Sequence, residues 1–425
     1  MIRAIAVAAA SLVLVAACAG QSENGEPAPA SGGTRTARPT DRQEQPTRPQ
    51  ETTVLSDERQ AELDSRLIEA AWDNHVSRVR RLIEDGADVN AKDDTEQSAY
   101  LVATSEGYDD LLDLTLRHGA DVTSLDSFDG TGLIRAAERG HAGVVGRLIQ
   151  ADIDVNHVNN LGWTALHEAI VLGDGSGRYV DTVRTLVAGG ADVRLPSAQD
   201  GVAPIDHATR KGYDAVAETL RAALDERPIA RPDQALLDAA ASGDADRAAL
   251  AIRAGAELEV GDERGRTPLL VAVTNDRIDV ARLLVALGAD PDALDDQHDT
   301  PWLVTGVTGS VPMLEALLSA DPDLSIRNRY GGLSAIPASE RGHVEYVRRV
   351  VRTDIDINHV NDLGWTALLE AVILGDGSRP YQEIVRILLA AGADPAIADG
   401  DGVTALQHAE SSGQDGVANV LRDAS

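Results

Sequence analysis

One short pattern recurs along the chain at a nearly fixed step, and it limits the fold more than any other feature. Starts of apolar runs stand at Ser65, Ser98, Thr131, Thr164, Ala203, Ala235, Thr267, Thr300, Ser334, Thr366 and Thr404. The step is mostly 32–34 residues, with 39 from Thr164 to Ala203 and 38 from Thr366 to Thr404. Between these starts recur Gly-Ala-Asp at Gly86, Gly119, Gly190, Gly288 and Gly392, and Gly-Ala-Glu at Gly255. A period of this size predicts stacked helix pairs, none of which buries its own apolar face. Thr or Ser at a helix start caps unpaired amides. Gly at the end of the second helix accepts a left-handed backbone.

The Thr-Pro-Leu-like starts (TALH at Thr164, TPLL at Thr267, TPWL at Thr300) and the Gly-Ala-Asp turns resemble the ankyrin repeat over nearly all of Asp57 to Ser425. The resemblance implies an all-α repeat solenoid: about eleven helix-turn-helix units with β-hairpin fingers between them. It also implies a chain that binds other macromolecules through its fingers and concave groove and catalyses nothing.

Composition agrees with thin layers. Aromatic content is 3%, with one Phe, so the core must be built from Ala, Leu, Val and Ile. The formal net charge of -31 repels phosphate backbones, which argues against nucleic acid as a partner and for a basic protein segment. No P-loop, G-x-S-x-G, H-E-x-x-H or paired-cysteine metal spacing is present, so neither an enzyme nor a cofactor is expected. All ten histidines fall at repeat positions. His75, His141 and His343 open second helices, His118 precedes a Gly-Ala-Asp, and His298 lies on a finger.

The amino terminus reads as an export signal over residues 1–18: Arg3, an apolar run from Ile5 to Ala17, then the chain's single cysteine, Cys18. It resembles a bacterial lipoprotein signal, which implies cleavage before Cys18 and lipidation of its thiol. An ordinary secretory signal or an uncleaved anchor are the alternatives. Residues 19–56 are rich in Pro, Thr, Gln and Glu and read as a disordered tether. The expected location is the cell membrane or outer membrane, lipid-anchored and facing away from the cytoplasm.

The remainder divides into a first array (57–225), a joint at RPIARP (226–233) and a second array (234–425) that carries one additional unit. The 32-residue step from Ala203 to Ala235 predicts continuous stacking with a kink. Asn156–Ser176 and Asn358–Ser378 match at all but four of 21 positions, so the halves are duplicates offset by 202 residues.

That duplicate supplies the candidate site residues. Asn156, His157, Asn358 and His359 lie on fingers, and Trp163 and Trp365 follow the finger glycine. Glu168 and His207, with Glu370 and His408 in the second half, take the position after the TPLH-like residue, where most other units carry Val or Ala. Asp174 and Asp376 begin the inserted turns DGSGR and DGSRP. Three readings stand: a partner-binding patch, a structural hydrogen-bonded ladder, or a metal pair short of ligands. The expected function is a membrane-anchored, extracytoplasmic protein that recognises an envelope protein, as a monomer. Alternatives are an accessory factor for a periplasmic enzyme such as catalase in oxidative-stress protection, and, remotely, a metal-dependent hydrolase.

Overall fold

The caps foreseen at the helix starts form. Ser98, Thr131, Thr164, Thr267, Thr300, Thr366 and Thr404 each accept a hydrogen bond from the backbone amide three residues on, and a helix follows each. The computed structural model describes residues 56–225 and 227–424. Cys18, the export segment and the tether up to residue 55, together with Glu226 at the joint, lie outside the described residues.

Among the described residues are 22 helices, arranged as eleven antiparallel pairs, and no strands. The fingers are tight turns closed by short backbone bonds, such as Asn159 N to Trp163 O at 3.0 Å and Gly162 N to Asn159 O at 2.9 Å, and only Leu125–Thr131 and Ala398–Thr404 form isolated β-bridges. Three starts differ from expectation. At Ala235 the helix already begins at Pro232, the proline taking the first helical position. The first helix begins at Asp57, capped by Ser56, because the strong helix formers upstream of Ser65 extend it. Ser334 sits in a right-handed helical conformation itself and makes no cap.

The larger correction concerns the joint. Consecutive first helices pack side by side through Pro204–Lys211, and the row resumes at Pro232–Ser242, but the two rows do not form one continuous stack. The chain instead turns back at the joint, and the second helices of the two arrays meet. Gly177–Ala188 packs on Ala245–Arg253, and Ala142–Gln150 packs on Ile278–Ala286. Arg184 bonds Asp246 at 2.7 Å, and Asp246 also accepts from Thr219 at 2.7 Å. Arg253 donates to the carbonyls of Val187 and Ala191, and Gln150 to that of Ala286. Ile149 touches the apolar core of both arrays.

The duplication explains why only one pair of faces meets. Gly143 and Gly146 lie on the covered face of the first array; 202 residues on, the uncovered face carries Glu345 and Arg348. Ala286, in the contact, corresponds to exposed Glu84. A Cβ on Gly146 would overlap the Ala286 carbonyl, so the approach of the helices depends on that glycine. Gly146→Arg should therefore cost about 1–3 kcal/mol and open the two arrays. Small-angle X-ray scattering should show a larger radius of gyration with helical circular dichroism retained, and Arg348→Gly should leave both unchanged.

Candidate functional site

The fingers are joined by a repeated rung. In five fingers a side-chain oxygen two residues after the Asp of Gly-Ala-Asp, or at the matching position, accepts from the backbone of the next unit; Asp292, which takes the amide of Asp323 at 2.8 Å, is one of them. Asn90 takes the amide of Asp121 at 2.7 Å, Asn156 that of Asp192 at 2.7 Å, Glu259 that of Asp290 at 2.9 Å, and Asn358 that of Asp394 at 2.8 Å. Asn358 also donates to the Gly392 carbonyl. His157 bonds the carbonyl of Asp129 at 2.7 Å on the preceding finger, and His359 that of Gly331 at 2.6 Å. These four candidate residues thus hold neighbouring fingers at fixed spacing while their outer edges face solvent.

The inserted turns have a mechanical role. Asp174 accepts the Ser176 amide and Asp376 the Ser378 amide, both at 2.9 Å. The longer turn brings Tyr179 and Tyr381 back onto the previous unit, where their hydroxyls donate to Glu138 O and Glu340 O at 3.0 and 2.9 Å. In units without the insertion other side chains do this: His141 reaches Ser105 O, His343 reaches Val307 O, and Tyr213 donates to Gly173 O at 2.8 Å.

Glu168 and Glu370 are buried, at 3% and 4% exposure, and neither meets a histidine. Each accepts instead from an asparagine nine residues back, Asn159 Nδ2 and Asn361 Nδ2, both at 2.9 Å. The same asparagines use their Oδ1 to accept the amides of Leu161 and Trp163, or Leu363 and Trp365, which closes the finger turn and places each Trp at the hairpin-helix corner. Asn159 and Asn361 were not singled out from sequence, although Asp93, Asp126, Asp262, Asp295, Asn328 and Asp399 close other fingers in the same way. The same nine-residue reach pairs Asp126 with Arg135 at 3.3 Å and Asp399 with His408 at 2.7 Å. His207 lies 3.7 Å from Asp200 and edge-on to His167, with ring centroids 6.1 Å apart.

Burial pushes the carboxyls of Glu168 and Glu370 up to about 7, against the hydrogen bonds from their asparagines. Burial, with His207 beside it, lowers His167 to about 4, so this imidazole is neutral and its Nδ1 accepts from Thr164. Asp399 is held below its usual range by the Val403 amide and by His408. Among the described residues no group of three or more His, Cys, Asp or Glu side chains converges as a metal site.

The repeat geometry and the sequence comparisons agree. "Ankyrin repeats (3 copies)" matches residues 100–197, 133–229, 205–295, 236–328, 302–399 and 336–425, and "Ankyrin repeat" matches 64–94. The chain belongs to the ankyrin repeat family. It is 34% identical over 184 residues to the ankyrin repeat protein YahD of Escherichia coli (strain K12), covering 43% of this chain and 92% of YahD. Two solved ankyrin structures are similar as well. One, from Acinetobacter baumannii AYE, is 44% identical with a TM-score of 0.43 and covers 44% of this chain and 96% of its own. The other, EF0377, is 37% identical with a TM-score of 0.43 and covers 45% and 97%. None of the three covers both ankyrin arrays in full.

Two outcomes follow from this geometry. A carboxyl that titrates higher in the folded chain holds its proton more tightly there. The stability it adds is complete below about 4.5 and is lost as pH rises through about 7. Glu168→Gln with Glu370→Gln keeps the asparagine bonds and should flatten that fall, gaining about 1–2 kcal/mol per site at pH 8 in urea melts after allowance for partial hydration. Removing a rung, by Asn358→Ala, should cost about 1 kcal/mol in the same measurement at any pH.

Proposed function

We propose that this ankyrin array is a lipid-tethered scaffold of the bacterial cell envelope, which holds a protein partner against its fingers. Ankyrin repeats suggest a role in protein–protein interaction, and the observation that carries the reading here is the finger edge. It is fixed unit to unit by side-chain rungs, while its outward carboxylates, among them Asp154, Asp192, Asp356 and Asp394, stay exposed. Such an edge recognises without rearranging, and its charge favours a basic segment with salt-sensitive association. The tether rests on the sequence of residues 1–56 alone. There Cys18 would carry acyl chains, each buried CH₂ adding about 0.8 kcal/mol of membrane affinity.

Photo-crosslinking in intact cells tests this. A benzophenone amino acid replacing exposed Asn160 should give a discrete protein adduct whose yield falls in high salt, and Cys18→Ala should reduce the yield by releasing the scaffold. Adducts from a probe at exposed Glu345 on the uncovered second-helix face, with none from Asn160, would overturn the finger reading. A yield indifferent to Cys18→Ala would remove the tether from it.

A further inference from the structure

Among the described residues, eleven large apolar side chains stand open to solvent, and eight of them form four pairs 202 residues apart. The pairs are Phe128 with Tyr330, Val158 with Val360, Leu161 with Leu363, and Leu172 with Leu374. The other three show what happens without such matching. Trp72, Leu294 and Val307 correspond to Thr274, Lys92 and Ser105 in the opposite half. Six of the eight lie within the stretch that the halves share at all but four of 21 positions; Phe128 and Tyr330 lie outside it and keep an exposed aromatic at one register.

Three of the four pairs stand together on two adjacent fingers. The Asn160 amide donates to Phe128 O at 3.0 Å, and the Asp362 amide to Tyr330 O at 3.0 Å. With the His157 and His359 bonds, each half brings one aromatic, one Val and one Leu side chain onto neighbouring fingers. In the second half Arg329, paired with Asp299, also lies over the Tyr330 ring at 4.9 Å, where the first half has Ser127. The rims agree too. Asp152 and Asp154 repeat as Asp354 and Asp356, all exposed, and the fingers 152–163 and 354–365 carry no Lys or Arg.

We infer that the chain carries two equivalent docking sites, each taking the same kind of segment: a short extended peptide with a large apolar side chain flanked by Lys or Arg. This deepens the finger reading above and rests on it. The apolar tips supply the anchor surface, and the aspartate rim supplies charge complementarity. A second copy of the chain fits poorly, because the fingers 152–163 and 354–365 both present exposed aspartates and no Lys or Arg.

The test uses the full chain. Short random-sequence peptides displayed on phage are panned against it, and the strongest binder is synthesised and titrated by calorimetry. The expected binder has net positive charge and at least one large apolar residue, and saturates at two per chain. Val158→Asp with Leu161→Asp should lower that number to one, Val360→Asp with Leu363→Asp should do the same, and all four together should abolish binding. Unchanged melting curves show that the variants fold. Saturation at one peptide per chain, or indifference to either pair, overturns the two-site inference and leaves the finger reading standing. A binder displaced by neither pair but by changes on the second-helix face, or the absence of any binder, overturns both. A dimer dispersed by these substitutions would show self-association instead.

Discussion

No helix pair in this chain can bury its own apolar face, so every other property follows from who covers whom. Along each array the cover is the next unit, and the layers are thin because the interior is mostly Ala, Leu and Val. Thin layers put helices close together, which leaves few places for large side chains; Trp302, Tyr100 and Tyr346 are the exceptions, fully enclosed. The hydroxyls of the two tyrosines are satisfied, Tyr100 by the Val122 carbonyl and Tyr346 by Thr305. The same need for cover drives the fold-back at the joint, where second helices that would otherwise face water face each other.

Internal duplication lets the chain serve as its own control. Where the first array is covered, the face is Gly143, Gly146 and Arg147; where its duplicate is open, the face is Glu345, Arg348 and Arg349. Arg147 turns its guanidinium toward Asp109, Asp113 and the Ser319 carbonyl across the interface, whereas Arg349 bonds Glu315 within its own array. One residue type at one register thus performs two jobs, and neighbouring glycines decide which. Small residues permit the second helices to approach, and the charged pairs at the edge fix their register.

Most of this was legible in sequence wherever the cause is local. The period, the capping Thr and Ser residues, the turn glycines and the lengthened turns each act within a few residues, so their pattern is written in a few residues. The direction of the second array was not legible. The 32-residue step across the joint equals an ordinary repeat, and a spacing cannot say whether the next pair stacks forward or turns back. The information lay in faces distant in sequence, Gly146 against Ala286, visible only when the second helices of the two halves are set side by side. The Glu and His residues stand at a helix register that the repeat makes plain, but what they bond is not written in that register. The partners of Glu168, Glu370 and His408 stand nine residues upstream in the finger turn, and Asp200 stands seven before His207.

That nine-residue pairing obeys a charge rule. Asp126 faces Arg135, and Asp399 faces His408, but the two glutamates face Asn159 and Asn361. The finger turn needs an oxygen that accepts two amides, and either Asp or Asn provides it. An aspartate beside a buried glutamate would place two carboxylates in one site of low dielectric, where both cannot ionise at modest cost. Asparagine closes the turn with its oxygen and still has an amide to donate to the glutamate. The choice of Asn at these two fingers is therefore set by the helix residue nine positions on, and the turn and the helix form a single unit. A carboxyl held this way keeps its proton toward neutral pH, buried under the fingers that face solvent.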